Sequence, residues 1–255
     1  MKTICFVNQK GGVAKTTSCL NIGAALARAG QKVLLVDMDP QGNLTLCAGL
    51  PNNLTGNTVY EALKGTADVK DVIRTKHSAD AAYDILPAAY SLSNLEVEQA
   101  NNMLLQDLLK PLRRRYDWIL IDCNPSLNLL TIMALAAADR YIIPVTPDYL
   151  TLAGITQIEG VTASLVKKHL NPDLKLSGFI VSKYDQRRTM DRQIVQMIQN
   201  HFPEKVYEPF VRGSVKLAEA PTFGKDIFEY AAKSTGAKAY AALAAELTKR
   251  EGKKK

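Results

Sequence analysis

Short apolar runs alternate along this chain with longer segments in which apolar residues recur every three or four positions. The runs predict buried β-strands, and the longer segments predict helices. Alternation of the two is typical of an α/β fold with a mostly parallel, twisted sheet and helices on both faces. The predicted strands are 3–8, 33–37, 83–87, 117–122, 141–146, 176–183 and 205–211, and the main predicted helices are 15–29, 101–114, 127–138, 150–169, 189–201 and 235–250.

No stretch rich in proline, glycine or serine separates these elements, and the sequence contains no internal repeat. A chain of 255 residues is long enough for one large α/β domain. We therefore predict a single domain over residues 1–250, followed by a basic, disordered tail over residues 251–255.

Hydrophobic residues make up 47% of the chain and charged residues 22%, as in an ordinary globular protein. No apolar run approaches the roughly 18 residues that a membrane span needs, and the first strand begins too early for a signal peptide to precede it. The four cysteines form no C-x-x-C pair, which favours buried thiols in a reducing cytoplasm. A formal net charge of +7 either aids solubility or attracts nucleic-acid phosphates, and composition leaves both interpretations open.

The first strand leads into Gln-Lys-Gly-Gly-Val-Ala-Lys-Thr-Thr at residues 9–17, just before a helical pattern. Backbone N–H groups of such a turn, together with those of the free helix N-terminus, converge on a phosphate. Lys15 supplies positive charge, and the Thr16 hydroxyl is a ligand for Mg²⁺. The usual phosphate-loop pattern, G-x-x-x-x-G-K-[ST], fails because Gln9 and Ala14 stand at its two glycine positions.

Acidic residues follow two further predicted strands. Asp37 and Asp39 end the second strand, and their side chains point the same way because they lie two residues apart. Asp122 ends the strand that begins near residue 117. Open α/β sheets bind ligands at the carboxyl ends of their strands, so these acids are expected beside the phosphate loop. Either carboxylate before Pro40 would also serve as an ordinary turn former.

The loop K-G-G-V-x-K-T-T, the strand end V-D-x-D-P-Q-G-N and the segment I-D-C-x-P-S resemble the ParA branch of the ParA/MinD ATPases. Residues 217–225, Leu-Ala-Glu-Ala-Pro-Thr-Phe-Gly-Lys, resemble a further signature of this P-loop NTPase-like family. The likeness covers residues 2–248. Because the loop starts at residue 9, with no upstream helix-turn-helix module, the chain is similar to the short, Soj-like form.

The resemblance implies ATP and Mg²⁺ as ligands. It makes Asp39 the residue that orients the attacking water, places Asp122 at the water shell of the metal, and gives Asp37 a supporting role there. The signature lysine, Lys10, would reach the γ-phosphate of a partner subunit in an ATP-sandwich homodimer. The nucleotide-binding residues implied are Lys10, Gly11, Gly12, Val13, Ala14, Lys15, Thr16 and Thr17 at the phosphates, and Ser182, Lys183, Val211, Arg212 and Gly213 at the adenine.

Two positions depart from the family pattern. Ala14 replaces the usual glycine before Lys15, and its methyl group is expected to crowd the phosphate or slow hydrolysis. Asn124 replaces a proline in D-x-P-P-S. We therefore expect hydrolysis to be slower than is usual in the family, while nucleotide binding persists.

The function implied is a slow, dimerising partition or positioning ATPase that binds non-specific double-stranded DNA as its ATP form. A ParB-like or other cargo adaptor would stimulate hydrolysis, and the protein would lie on the nucleoid in the cytoplasm, without stable membrane association. Candidate DNA contacts are basic residues, which would also suit a solvated surface: Arg187, Arg188, Arg192, Lys216 and the tail.

Three other functions remain open on the sequence. A MinD-like, membrane-associated ATPase would need a C-terminal amphipathic helix, and residues 237–255 offer only a thin apolar face. A relative of the nitrogenase iron protein would need two cluster cysteines per subunit, but only Cys123 lies near a suitable position. A DNA-coating protein without turnover would follow if Ala14 abolishes hydrolysis.

Overall fold

The computed structural model describes residues 1–51, 54, 56–78, 80–98 and 101–252. In this part of the chain, seven strands form one sheet in the order β3-β4-β2-β5-β1-β6-β7. Every pairing is parallel except that of β3 with β4, which is antiparallel. The strands are β1 (Lys2–Phe6), β2 (Val33–Met38), β3 (Arg74–Ser78), β4 (Ala81–Leu86), β5 (Trp118–Cys123), β6 (Arg140–Val145) and β7 (Lys175–Val181).

Helices cover both faces of the sheet, as predicted. The α-helices are α1 (Lys15–Arg28), α2 (Asn43–Cys47), α3 (Val59–Lys64), α4 (Val69–Val72), α5 (Asn94–Val97), α6 (Leu104–Leu109), α7 (Leu129–Ala137), α8 (Thr151–Val161), α9 (Thr189–His201), α10 (Val215–Glu219), α11 (Ile227–Ala231) and α12 (Thr235–Glu251). Short 3₁₀ turns lie at Tyr90–Ser93, Pro111–Arg114 and Ala220–Phe223, and a π-helical segment at Thr162–Leu170 continues α8. None of the helices described here is both long and apolar enough to cross a bilayer.

Alternate residues of the central strands divide between two hydrophobic cores. In β1, Ile4 and Phe6 pack into the core that includes α1, α2, α11 and α12. Cys5 of β1 and Val7, which follows it, pack into the opposite core, which includes α3, α7, α8 and α9. All four side chains are fully buried, because a parallel sheet covered on both faces leaves no strand face to solvent.

One predicted strand is wrong. Residues 205–211 run beside β7 but contain only one isolated bridge, Val206 with Phe179. A second bridge, Arg212 with Tyr184, lies just beyond both segments. Pro209 has no backbone N–H to donate to a ladder, so the apolar run there does not extend as a strand. The edge strand β3 was not predicted, because its residues Arg-Thr-Lys-His-Ser are polar and only Ser78 is buried. Charged edges of this kind discourage pairing with other chains.

Two predicted helices are interrupted. Residues 101–114 form α6 and then a 3₁₀ turn, since Pro111 cannot donate the hydrogen bond that would continue the α-helix. Residues 150–169 change from α to π geometry at Thr162. At the C-terminus α12 extends to Glu251, whose carboxylate accepts from Arg140 Nε at 3.0 Å. Glu251, the first residue of the predicted disordered tail 251–255, is thus helical, and residues 253–255 of that tail lie outside the described residues.

Candidate active site

The phosphate loop leaves the carboxyl end of β1 and is fastened to the neighbouring strand by Asn8. The Asn8 amide donates to the Pro144 carbonyl at 2.8 Å, and its oxygen accepts from the Lys10 backbone N–H at 2.9 Å. Ser182, just after β7, donates to the Val13 carbonyl at 3.0 Å. Both ends of the loop are therefore attached to strands on one side of β1.

Ala14 precedes the first residue of α1 and adopts left-handed backbone angles, φ 65° and ψ 35°. Residues with a Cβ pay about 1 kcal/mol for this conformation, which glycine adopts freely. The sequence departure at Ala14 is thus a point of backbone strain at the start of the helix.

Lys15 is buried below the loop, only 7% exposed, and its ammonium donates to the Lys10 carbonyl at 3.1 Å. Burial lowers the pKa of Lys15, and the nearby Asp122, Cys123 and Asp39 oppose that shift. Lys15 also lines the open cavity beside the loop, so a phosphate bound there would meet its side chain.

Thr16 and Asp122 form the second part of the site. The Thr16 hydroxyl donates to Asp122 Oδ2 at 2.6 Å, while Asp122 Oδ1 is buried and has no hydrogen-bond partner among the described residues. Burial, then the charge of Asp37, raises the pKa of Asp122. An unpartnered carboxylate oxygen beside a threonine hydroxyl suits a Mg²⁺ ion and its water shell.

The described residues contain no cluster of three histidine, cysteine, aspartate or glutamate side chains able to hold a metal alone. Magnesium sites with few protein ligands are completed by water and substrate phosphates. The residues present therefore fit Mg²⁺ brought together with a nucleotide.

Asp37 and Asp39 have different surroundings although they share one strand end. Asp37 is fully buried, and Oδ2 accepts from the Thr45 hydroxyl at 2.7 Å and from its N–H at 2.8 Å. Its Oδ1 accepts from the Asp39 N–H at 3.1 Å. Burial raises the pKa of Asp37 to about 7. Both oxygens are occupied in holding the strand end, so a contribution of Asp37 to the metal environment remains a prediction.

Asp39 faces the open cavity beside the loop. Its Oδ1 accepts from the Gln41 N–H at 3.0 Å, and its Oδ2 accepts from the Asn43 amide at 3.1 Å. Asn43 begins α2 and also lines the cavity. The sequence analysis gave Asn43 no role, although it is the last residue of the strand-end motif V-D-x-D-P-Q-G-N.

A cavity of about 1020 Å³ lies along the phosphate loop. It brings together most of the predicted nucleotide-binding residues with Asp39. Lys10 and Val13 are not among the lining residues: the Val13 side chain is buried, and Lys10 points elsewhere. The predicted residues that do line the cavity are Gly11, Gly12, Ala14, Lys15, Thr16, Thr17, Ser182, Lys183, Val211, Arg212 and Gly213.

The Lys10 side chain is 46% exposed and forms an ion pair with Asp148. Asp148 also accepts from the Thr146 hydroxyl at 2.8 Å and, through its other oxygen, from the Leu150 N–H at 3.1 Å. Partial burial would raise the pKa of Asp148, but the hydrogen bonds from Lys10 and Thr146 outweigh it and lower that pKa. No sequence pattern singled out Asp148, because the pair joins residues 138 positions apart.

Two of the predicted DNA contacts, Arg187 and Arg188, line the same cavity, and Arg192 and Lys216 do not. The Arg187 guanidinium binds Asp185 through Nε at 3.0 Å and Nη2 at 2.8 Å. Arg192 donates to the Gln186 carbonyl at 2.7 Å. Lys216, on α10, pairs with Glu219 at 3.0 Å. All four basic side chains belong to exposed residues.

A family model described as an AAA domain, AAA_31, matches residues 1–176. The chromosome partitioning protein ParA of Myxococcus xanthus (strain DK1622) is 43% identical over 256 residues, covering 98% of this chain and 89% of that protein. The chromosome-partitioning ATPase Soj of Treponema pallidum (strain Nichols) is 41% identical and covers 99% of both chains. The cobyrinic acid a,c-diamide synthase of Mycobacterium smegmatis, solved with an ATP analogue and magnesium, has a TM-score of 0.84 at 32% identity, covering 100% of this chain and 98% of that one.

Proposed function

This chain belongs to the ParA/Soj family of chromosome-partitioning ATPases, and on that basis we propose that it is an ATP-driven dimerisation switch that binds non-specific DNA. The observation that carries the proposal is the arrangement of four side chains at the carboxyl ends of the central strands β1, β2 and β5. Lys15 and the Thr16–Asp122 pair lie at the phosphate loop, and Asp39 faces the same cavity.

Hydrolysis of ATP by water requires positioning and charge neutralisation more than covalent help. Lys15 and the backbone N–H groups of the loop would hold the phosphates, while Thr16 and Asp122 would hold the metal. Bound Mg²⁺ supplies positive charge that stabilises the negative charge developing on the phosphates. Asp39, held at Oδ2 by Asn43, orients the attacking water.

Lys10 is the group proposed to act on the partner subunit. Its ammonium lies outside its own cavity and is partly exposed, which suits a charge delivered across a two-fold interface, as an arginine finger is delivered in trans. ATP then joins two subunits, and hydrolysis separates them.

DNA binding is proposed to follow from the dimer. Exposed arginines near the cavity, together with Lys216, would meet phosphates without reading bases. Two copies of a weak basic surface bind much more tightly than one, so DNA affinity rises when ATP joins the subunits. The expected location is the nucleoid in the cytoplasm, with a ParB-like or other cargo adaptor that stimulates hydrolysis.

The packing of α12 favours this function over the MinD-like alternative. Its apolar residues Tyr240, Leu243 and Leu247 are buried in the core with α1, and the Tyr240 hydroxyl lies 3.2 Å from Ser18 Oγ. These side chains are committed to the fold and are not presented to a bilayer interface.

The proposal is tested by measuring mass and DNA binding in one series. Asp39→Ala should keep ATP and remain a dimer, because water positioning is lost while the phosphate contacts stay. Light scattering with ATP and Mg²⁺ should give twice the monomer mass, and random duplexes should then be retarded in a mobility-shift assay. A monomer under all conditions would refute the switch.

The DNA surface is tested in the Asp39→Ala background with Arg188→Glu and Lys216→Glu. We expect dimerisation to persist and affinity for all duplexes to fall alike. The log–log salt slope should become shallower by about 0.9 for each DNA phosphate that the variant no longer neutralises. Lys233→Glu, an exposed lysine beyond the cavity lining, is the charge-matched control. Binding that depends on one sequence would place the DNA surface elsewhere.

A further inference from the structure

The signature segment, residues 217–225, follows the candidate DNA contact Lys216 but has no role in the function described so far. It forms the end of α10 and the 3₁₀ turn Ala220–Phe223, and Leu217, Ala218 and Pro221 line the cavity. The other side of this segment packs against α2, which begins beside Asp39. The segment therefore contacts both the nucleotide cavity and the helix that leads from the catalytic aspartate.

The contact with α2 is backbone against backbone. Gly49, two residues after α2, and Gly224, directly after the 3₁₀ turn, have φ of 85° and 61°. A Cβ on Gly224 would lie 2.5 Å from Gly49 Cα, and a Cβ on Gly49 would lie 2.8 Å from the Gly224 carbonyl oxygen. Both distances are too short for an added methyl group, so this approach requires glycine on both sides.

The opposite end of α2 holds Asp39. Asn43, the first residue of α2, donates to Asp39 Oδ2 at 3.1 Å. α2 spans only five residues, about 8 Å, and Gly49 lies two residues beyond its end. A displacement at Gly49 is thus expected to reach the Asn43 amide.

Hydrogen bonds at Gly224 and at the residues that follow it hold the C-terminal end of the signature segment in place. Asp226 is fully buried and accepts from the Tyr83 hydroxyl at 3.2 Å and from the Phe228 N–H at 2.9 Å. Asn21 of α1 accepts from the Ile227 N–H at 2.7 Å. Lys76 of β3 donates to the Gly224 carbonyl at 3.2 Å. Gly224 is consequently held on several sides. Because Thr45, in the middle of α2, is bonded to the buried Asp37 through its N–H and its hydroxyl, a displacement at Gly49 is expected to tilt α2 about Thr45 and to move Asn43.

We propose that the Gly49–Gly224 contact is a positioning device that sets Asp39 for hydrolysis through α2 and Asn43. This inference rests on the proposed function in one respect, the assignment of Asp39 to the attacking water. Because the same segment lines the cavity, it also provides a physical connection from bound nucleotide to α2. Gly49, Gly224 and Asn43 are positioning residues in this proposal, because each acts through Asp39.

The test is Gly224→Ala, with Gly30→Ala as its matched control. Gly30 also has a positive φ, 78°, but a Cβ there meets nothing within 4 Å, so both variants carry backbone strain and only one carries the clash. We expect Gly224→Ala to lower kcat for ATP about tenfold while the Kd for ATP stays within twofold, and Gly30→Ala to leave both unchanged.

Hydrogen exchange of the amides at 43–48 gives a readout that does not depend on turnover. We expect these amides to exchange at least fivefold faster in Gly224→Ala and at the native rate in Gly30→Ala. Unchanged exchange in a folded Gly224→Ala protein would overturn the inference. If exchange is faster in Gly224→Ala as expected, but the native protein does not hydrolyse ATP, the proposed function fails while the role of the contact in holding α2 is upheld.

A double-mutant cycle separates positioning from general damage. Asn43→Ala should lower kcat by a similar factor, and adding Gly224→Ala should lower it little further, because both act through one connection. Factors that multiply would mean independent effects and would also overturn the inference. Gly49→Ala approaches the same contact from the α2 side and replaces Gly224→Ala if that variant does not fold.

Discussion

The two lysines of the phosphate loop lie in opposite environments, although only four residues separate them. Lys15 is 7% exposed, and its ammonium is held by a carbonyl of its own loop. The Lys10 side chain is 46% exposed and is paired with Asp148, in the loop between β6 and α8. Lys15 lies in the cavity lining and Lys10 does not.

The difference separates a buried positive charge, available only within the subunit, from an exposed positive charge that another molecule can contact. Burial lowers the pKa of Lys15 because it destabilises the charged ammonium. A phosphate bound beside Lys15 supplies a counter-charge and stabilises that ammonium. An exposed ion pair such as Lys10–Asp148 is weak, at most about 1 kcal/mol, so it breaks easily when a better anion approaches. The two environments therefore support the proposal that Lys15 serves the nucleotide of its own subunit and Lys10 that of a partner.

Lys15→Ala removes the buried member of the two and should have the largest effect. Losing the principal counter-charge should weaken ATP binding about 100-fold, since a charged hydrogen bond contributes up to about 3 kcal/mol. Titration with a fluorescent ATP analogue measures it. Lys233→Ala, an exposed lysine that does not line the cavity, is the control, and an affinity within threefold of the native value would mean that the loop is not the site.

Lys10→Ala removes the exposed member and should leave nucleotide affinity as it is. ATP should still bind, while the Kd of the ATP-dependent dimer rises about 30-fold because one charge of an interface pair is removed. Light scattering over a range of protein concentrations measures both states. If the dimer Kd of Lys10→Ala equals that of the native protein, the proposed difference in role between the two lysines is wrong.

Asp148→Asn tests the exposed lysine from the opposite direction. With its ion-pair partner neutralised, Lys10 is released, and the ATP-dependent dimer should tighten by up to about fivefold. Glu98→Gln breaks a comparably exposed pair with Lys64 and should leave the dimer unchanged. A weaker dimer in Asp148→Asn would show that Asp148 helps the assembly instead of competing with it.

Ala14→Gly tests the strain between the two lysines and should have the smallest effect. Glycine removes the cost of the left-handed conformation, so the free energy of unfolding should rise by about 1 kcal/mol and Tm by about 2–4 °C. Ala29→Gly, at the other end of α1 with φ −83°, should instead lower stability. Thermal unfolding of the three proteins decides it, and ATP turnover of Ala14→Gly, expected to rise, tests whether the methyl group crowds the phosphate.

The central strands, the phosphate loop and the three acids at strand ends, Asp37, Asp39 and Asp122, could all be predicted from the amino-acid sequence. Each is encoded locally, by an apolar run such as 117–122 or by a motif of consecutive residues such as 9–17. Local patterns failed where strand pairing did not follow the apolar pattern. Residues 205–211 are apolar but interrupted by Pro209, and β3 is polar yet pairs antiparallel with β4.

The groups that support the site became visible only in the folded chain. The pairing of Lys10 with Asp148, the bond from Ser182 to Val13 and the approach of Gly49 to Gly224 join residues more than 100 positions apart. The hydrogen bond from Asn43 to Asp39 is short in sequence, but it forms because Gly42 turns the backbone with φ 62°. Charge pairs and close backbone contacts depend on how strands and helices stack, and that is set by burying two cores on one sheet, which no local pattern specifies.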